Sequence, residues 1–519
     1  MKKKVLFFLK VSCALISIVV IVMATAYIWP TNTLQPPKSF EETIIKNVSI
    51  VDVKTGKIAK HQFVLIEHSR ITKIDSTNII VSDDALIIDG TDKFLIPGLW
   101  DMHTHSDQHS EWLHHPLYIA NGITGVRDMS GQLNEKDSYW VGSKERLQWN
   151  KDLELNTRVT PRYVLQSSYQ MDGVKAIPED APDFFKLQNP SQVDSLLQFY
   201  KNEKVDFIKV YQQLPKDTYK TLALKAPEYG LHLAGHKPMF LSLEDAVNLG
   251  QRSFEHGRIF MYECFPETDS LKHSTNWKAY FSKSKAKIVH QFDSVQAKAL
   301  MRLMQQKKAY WTPTLQTLKF EANAHKNEFT NNENLKYVTN IRKRLWWKYD
   351  TDHNKEKNLE RKGENVSEQF FEASKNQLSM AHRMGVPIMA GTDVMDSYVF
   401  AGFSLHDELY ELTSAGLTNL EALQSATMVP ATYSNAIEDY GTIEIGKKAD
   451  LVLLDKNPLQ DINNTKSING VLLNGVYYDE EKLRELKAFT ETAAGSFHMN
   501  VKTFVSLLNS PLIRVQFAD

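Results

Sequence analysis

The feature that most restricts the fold is an alternation running from about Ile96 to Asp393. Eight short apolar segments, Leu99–His105, Ile123–Met129, Tyr163–Ser167, Phe207–Tyr211, His232–His236, Ser253–His256, Tyr310–Leu315 and Pro387–Asp393, are separated by stretches of helical character. Parallel strands need long crossover connections, usually helices, and eight such units in series predict an α/β fold built as a (β/α)8 barrel of the TIM type. The gap before the last segment is wide. Its residues 320–363, rich in Lys, Asn and Trp, read as an inserted helical lid.

On either side of the barrel the pattern has period two. Thr43–Ile45, Val48–Val53, Phe63–Ile66 and Ala85–Ile88 precede it, and Gly441–Ile443, Asp450–Leu454 and Val471–Gly475 follow it. Alternation punctuated by turn residues predicts antiparallel strands, so residues 43–95 and 436–480 are expected to form one small β-sandwich beside a barrel of residues 96–435. Residues 481–519 read as a helical extension.

The N-terminus carries a targeting signal. Lys2, Lys3 and Lys4 precede a stretch without charge from Val11 to Trp29, and residues 30–42, with three prolines, read as a linker. Two readings of residues 1–29 compete. Ala24-Thr25-Ala26 fits the small-residue cleavage site of a signal peptide, the slightly favoured reading. The length of the apolar stretch and its Tyr27-Ile28-Trp29 end also suit a retained membrane anchor. Both put the body outside the cytoplasm, because the lysines favour the inner side. Formal net charge is −1, from 61 basic and 62 acidic residues, which leaves no electrostatic footprint for nucleic acid. Cys13 lies in the apolar stretch and Cys264 is the only other cysteine, so the body holds no intrachain disulfide. Oligomeric state is not legible.

The chemistry concentrates at strand ends. Residues two apart on a strand share a face, so Asp101, His103 and His105 are expected to point together. Lys209, between Ile208 and Val210, faces the barrel interior with Phe207 and Tyr211. A buried lysine is rarely tolerated unless paired, and desolvation lowers its pKa. A neutral amine there can take up carbon dioxide and become a bridging carbamate; a charged one can pair with a barrel carboxylate or snorkel at the strand end. His236, His256 and Asp393 end three further strands. Barrel active sites lie at the C-terminal ends of the strands, and this set supplies four imidazoles, one carboxylate and one candidate N6-carboxylated lysine. It suits two divalent metal ions: His103, His105 and Asp393 for one, His236 and His256 for the other, Lys209 between them. Zinc, manganese or iron all fit such ligands. Asp393 is also the candidate proton carrier. Tyr211, Arg127 and His406 are candidate substrate contacts, each with an ordinary structural role as the alternative. His109, His114 and His115 read as loop histidines.

The run Pro97-Gly98-Leu99-Trp100-Asp101-Met102-His103-Thr104-His105, with Gly122–Asp128, Lys209, His236, Glu255-His256-Gly257, Gly391-Thr392-Asp393 and the tail Gly441–Val452, resembles the amidohydrolase superfamily from about Ile44 to Tyr478. Within it the chain is most similar to the imidazolonepropionase-related and prolidase-like dipeptidase groups, and the latter resemblance implies a metal-bridging lysine on the fourth strand. The function expected is hydrolysis of carbon–nitrogen bonds of amide or peptide type in a small-molecule substrate by a metal-bridged hydroxide, as in a dipeptidase or cyclic amidase. A lactonase or phosphotriesterase could use the same site. A mononuclear deaminase is disfavoured by Lys209, and a non-catalytic scaffold by the intact ligand set.

Overall fold

The computed structural model describes residues 2–518 apart from 275 and 361–364, so residues 361–363 of the expected lid lie outside the described residues. The described residues form fifteen strands. The first five are β1 (Glu42–Val51), β2 (Ile58–Glu67), β3 (Arg70–Asp75), β4 (Leu86–Asp89) and β5 (Phe94–Pro97). The barrel supplies β6 (Leu99–Thr104), β7 (Ile123–Asp128), β8 (Arg162–Leu165), β9 (Phe207–Val210), β10 (His232–Gly235), β11 (Ser253–Glu255) and β12 (Tyr310–Thr312). The last three are β13 (Leu451–Leu454), β14 (Ile468–Leu473) and β15 (Val476–Tyr478).

In the barrel, β6–β7–β8 and β9–β10–β11–β12 form two parallel sheets. Parallel bridges join them into a ring. Ser167 pairs with Phe207, Trp311 with Ile388, and Thr104 with Val394, so the segment around residues 387–394 takes the eighth place between β12 and β6. Its backbone is threaded tightly. A Cβ on Gly391 would lie 2.9 Å from the His103 nitrogen and 2.5 Å from Thr312 Cγ2, so no larger residue fits without a shift.

The strands outside the barrel form one mixed sheet, in the order β15–β14–β13–β5–β1–β2–β3, with β4 also paired to β1. The expected sandwich is this single sheet rolled on itself. The free edge of β3 meets the chain leading into β13, where Ile71 N donates to Lys447 O at 2.9 Å and Gly446 N to Ile71 O at 2.7 Å. Ile45, Val64, Leu95, Leu451 and Leu472, drawn from both ends of the chain, share one core inside the roll. Burial of this apolar surface, at roughly 25 cal/mol per Å², ties the N-terminal strands to the C-terminal ones.

Between β12 and the eighth segment the chain makes helices Leu315–Asn323 and Val366–Arg383, with a helical insertion between them that ends in Lys348–Glu360. A buried ion pair anchors the insertion: Arg342 donates to Asp107 Oδ2 at 2.6 Å and to the Tyr139 hydroxyl at 2.8 Å. The C-terminal residues fold as helices Glu480–Gly495, Phe497–Asn509 and Pro511–Ala518, the first two N-capped by Asp479 and Ser496. The N-terminal helix Lys2–Ile28 meets Phe497–Asn509 at its outer end. Residues 30–42 do not hang free, as a linker would. Lys502 Nζ donates to Thr31 Oγ1 at 2.7 Å, Trp112 Nε1 to Asn32 O at 2.9 Å, and Leu34 packs into a core cluster.

The Asp107 network sets a pH dependence. Burial pushes the Asp107 carboxyl up, but Arg342, His114 and His109 outweigh it and hold it down at about 2. Burial draws His114 down to about 4 despite Asp107. In both cases the unfolded chain binds more protons than the folded one within the window, so stability rises with pH. His114 contributes between about 6.5 and 4, and Asp107 between about 3.8 and 2. Asp107→Asn leaves Arg342 buried without its counter-ion and is expected to cost about 3–5 kcal/mol. Urea melts at pH 7 and limited proteolysis should show lower stability and earlier cleavage between residues 324 and 357. Unchanged melts and cleavage would mean that the pair does not anchor the insertion.

Candidate metal centre

The C-terminal ends of the barrel strands open into a cavity of about 550 Å³. His103, His105, Lys209, His236, His256 and Asp393 all line it. Two of these positions depend on backbone that the sequence does not advertise. On β11, Ser253 and Glu255 share a face, and strict alternation would send His256 the other way. His256 instead has φ = +72°, and Asp393 has φ = +70°. Left-handed backbone at non-glycine residues costs on the order of 1–3 kcal/mol and clusters at functional sites. Here it turns both side chains into the cavity.

The side chains converge closely. Asp393 Oδ1 lies 3.0 Å from His105 Nε2 and 3.3 Å from His103 Nε2, and its Oδ2 lies 3.4 Å from His256 Nδ1. The Nε2 atoms of His236 and His256 are 2.9 Å apart. Ligand atoms of His103, His256 and Asp393 lie within 4.8 Å of one another. The outer hydrogen bonds fix where the lone pairs point. His103 Nδ1 donates to Glu255 Oε2 at 3.0 Å, and its Nε2 faces the Asp393 carboxylate at 3.3 Å. That nitrogen is buried and has no hydrogen-bond partner. Imidazole nitrogens and a carboxylate converging on one buried point, one of the nitrogens without a partner, form a donor set that fits a divalent metal.

The protonation states agree with this. Burial draws His256 down to about 3 and puts His236 well below an ordinary imidazole, and His105 is lowered too. Burial alone would raise Asp393, but His103, His256 and His105 outweigh it and hold the carboxyl well below its usual range. Burial, partly opposed by Asp393 and Glu255, brings Lys209 down to about 8. Among the described residues no carboxylate forms an ion pair with the Lys209 amine, so the pairing alternative is not what the structure has. The amine sits over the Tyr211 ring, 5.8 Å from its centroid.

Three sequence expectations need correction. Asp101 does not line the cavity with the histidines and takes a strand-end hydrogen-bonding role, where β6 shifts register against β7 between Asp101 and Thr104. Its carboxylate instead accepts from the backbone N–H groups of His103 at 3.2 Å and Thr392 at 3.0 Å, clasping β6 to the eighth segment. Arg127 cannot contact substrate. It is fully buried, donates to Glu255 at 2.9 Å and to Met102 O at 2.6 Å, and leaves its sequence neighbour Asp128 to Arg146. His406 is also sealed off, held between Thr465 Oγ1 at 2.9 Å and Asn121 O at 3.0 Å. Tyr211 does line the cavity, its ring 4.1 Å from that of His236. His109, His114 and His115 are buried structural residues, the first two beside Asp107 and the third bonded to the Tyr163 hydroxyl at 2.8 Å.

Glu255 and Gln516 were missed. Glu255 could have been found from its inward strand position two residues after Ser253, whose hydroxyl bonds it at 2.7 Å. Gln516, which reaches the cavity from the last helix, gave no signal.

Comparison with known proteins bears on this geometry. The model of the amidohydrolase family matches residues 288–477, a span that holds Asp393 but not the other five residues. A dihydroorotase of Carboxydothermus hydrogenoformans is 42% identical over 89 residues, 16% of this chain and 20% of the relative, so the chain spans about a fifth of that curated relative. Among solved structures, a bottromycin amidohydrolase superposes with a TM-score of 0.68 and 21% identity over 88% of this chain and 91% of the other. A Xaa-Pro dipeptidase with methionine bound in its active site gives 0.59 and 19% over 84% and 100%. Molinate hydrolase gives 0.59 and 15% over 85% and 95%. At these identities the structures establish the shared fold.

Glu255 carries a specific expectation. Glu255→Ala strands Arg127 as an uncompensated buried charge, worth about 3–5 kcal/mol, and frees His103 Nδ1, which should weaken metal binding by roughly 10–100-fold. Denaturant melts and metal titration read the two effects separately. Wild-type values in both would remove Glu255 from the support of the centre.

Proposed function

We propose that this chain, which belongs to the amidohydrolase superfamily, is a metal-dependent hydrolase of carbon–nitrogen bonds in small amide- or peptide-type substrates. The observation that carries the reading is the convergence of His103, His105 and His256 on the Asp393 carboxylate, with His103 Nε2 buried and without a hydrogen-bond partner. His103, His105 and Asp393 would hold one divalent cation, His236 and His256 a second, and Lys209 would bridge them once carboxylated. Such cations supply Lewis acidity and bring the pKa of an attacking water near neutrality.

The chain's own residues do the rest. Asp393 is stable as a carboxylate within reach of three imidazoles. It would accept the proton of the attacking water and pass it to the leaving nitrogen. With its pKa near 8, Lys209 is about one-tenth neutral at pH 7. That fraction can attack carbon dioxide, forming a nitrogen–carbon bond and releasing a proton. Tyr211, at the cavity wall, is placed to contact a bound substrate. The rim adds aromatic side chains from separate elements, among them Trp140, Trp277 and Trp346, which suits a substrate with an apolar group beside the scissile amide. The basic start and apolar helix at the N-terminus support a site of action outside the cytoplasm.

The purified protein is expected to contain close to two divalent metals per chain. Lys209→Ala should lose one or both with most of the activity. Asp393→Asn should lower kcat by roughly 10²–10⁴-fold with the fold kept, as read by circular dichroism. Rates are to be measured against dipeptides, N-acyl amino acids, cyclic amides, lactones and phosphotriesters. Turnover confined to the last two classes would replace the amide reading, and full metal content in Lys209→Ala would end the bridging role.

A further inference from the structure

The N-terminal helix has an unexpected neighbour. Its uncharged part begins after Lys10, and a charge of that kind is costly in hydrocarbon, so the inner edge of a bilayer core falls near residue 10. A core of about 30 Å takes about 20 helical residues, which puts the outer edge near Trp29. The helix ends there, at Ile28, with Tyr27 and Trp29 exposed as interfacial aromatics would be. Residues 21–26 then lie inside the outer edge, between about 4 and 12 Å below Trp29 at 1.5 Å per residue.

It is at this level that the folded body touches the helix. Ile21, Val22, Thr25, Ala26 and Trp29 share one apolar groove with Phe497 and His498, at the start of helix Phe497–Asn509. Phe497 is 59% exposed although it lies on a helix that buries Met499, Thr503 and Ser506 in the body. Further along the same helix Lys502 reaches Thr31, past the end of the span. The helix therefore rises out of the membrane plane, and its first turn is the part that meets the span below Trp29. Ala26, the last residue of the candidate cleavage site, is only 7% exposed at this contact.

We propose that the N-terminal helix is a retained anchor and that the body rests on the outer surface of a lipid bilayer through the Gly495–His498 turn, with the Phe497 ring in the interface. Apolar side chains of interfacial elements reach about 5–10 Å into the headgroup and acyl boundary, the depth that the groove gives Phe497. The arrangement has a consequence for the catalytic cavity. Asn500 Oδ1, one turn beyond Phe497, accepts from Ile341 N at 3.1 Å. This docks the base of the insertion on the same helix, just before Lys343, the exposed Arg344 and Leu345, and Trp346 of the cavity wall. Basic and apolar side chains together suit an anionic lipid surface.

The test is independent of hydrolysis. The full chain carrying Cys13→Ser, with Phe497→Cys labelled by an environment-sensitive dye, is reconstituted in vesicles of phosphatidylcholine and phosphatidylglycerol. Val295→Cys, on an exposed site 77% accessible at the start of helix Ser294–Lys307, is the reference. Cys264 is buried and should stay unlabelled. The dye at 497 should shift to the blue and be quenched several-fold more strongly than the dye at 295 by lipids bearing a nitroxide near the headgroup. Protein from cells should stay in the membrane pellet after alkaline carbonate and keep the mass of the uncleaved chain. A dye at 497 that behaves like the one at 295 would overturn the docking, and a soluble protein beginning at Tyr27 would overturn the anchor.

Discussion

Everything at the centre of the barrel leans on one buried ion pair. Arg127 and Glu255 are both fully enclosed and 2.9 Å apart, and Glu255 also holds His103 Nδ1. Removing two charges from water costs several kcal/mol per ion, so a pair like this is weak evidence for stability by itself. It persists because each remaining valence is used. Arg127 also donates to Met102 O, Ser253 Oγ and Thr312 Oγ1, which lie on three different strands. The guanidinium thus acts as a hub that sets the spacing of β6, β11 and β12. The Glu255 carboxylate, held by Arg127, His103 and Ser253 against the cost of burial at a pKa of about 2, remains an anion that fixes the tautomer of His103. Orientation of the first ligand is therefore built into the packing of the barrel.

The second constraint is strain, placed where the ring closes. The eighth segment is not a regular strand, yet its backbone bonds carry the closure: Met102 N to Ala390 O, Asp393 N to His103 O, His105 N to Val394 O. These bonds pass on both sides of His103. They also hold Asp393 in its left-handed conformation, which cannot relax without releasing β6. Asp101, bound to the N–H groups of His103 and Thr392, repeats the clasp from a side chain. The Asp393 carboxylate is thereby held facing the imidazoles of His103, His105 and His256, so the donor atoms converge without a cation to gather them.

The sequence made the α/β class and the order of barrel strands legible, because eight apolar segments separated by helical stretches have few other ways to bury themselves. The direction of Lys209 was legible for the same reason: β9 is regular, and Ile208 and Val210 pack into the main core while Lys209 faces inward. Where a strand departs from alternation, reading by period fails. The slipped register of β6 misplaced Asp101, and the positive φ at His256 allowed two consecutive residues, Glu255 and His256, to serve the same site. Arg127 and His406 were misread for another reason. A polar residue at a strand end or on a helix looks alike whether it faces a cavity or a buried partner, and their partners, Glu255 for one and Thr465 for the other, are far away in sequence.

The parts least legible in sequence are those added to the barrel, and they form one connected assembly. The insertion is bonded to helix Phe497–Asn509 through Asn500 and to the loop after β6 through Asp107. The last helix brings Gln516 to the cavity, with its amide on the Tyr169 hydroxyl at 3.4 Å. The N-terminal helix and residues 31–34 dock on the same C-terminal helices. Each addition alone would bury little apolar surface and fix few backbone groups. Of the joined parts, the insertion and the last helix reach the open end of the barrel, through Trp346 and Gln516. The cavity wall is thus made mostly from the loops that follow the strands, with Trp346 of the insertion and Gln516 of the last helix added to it, while the six candidate ligands sit at the strand ends.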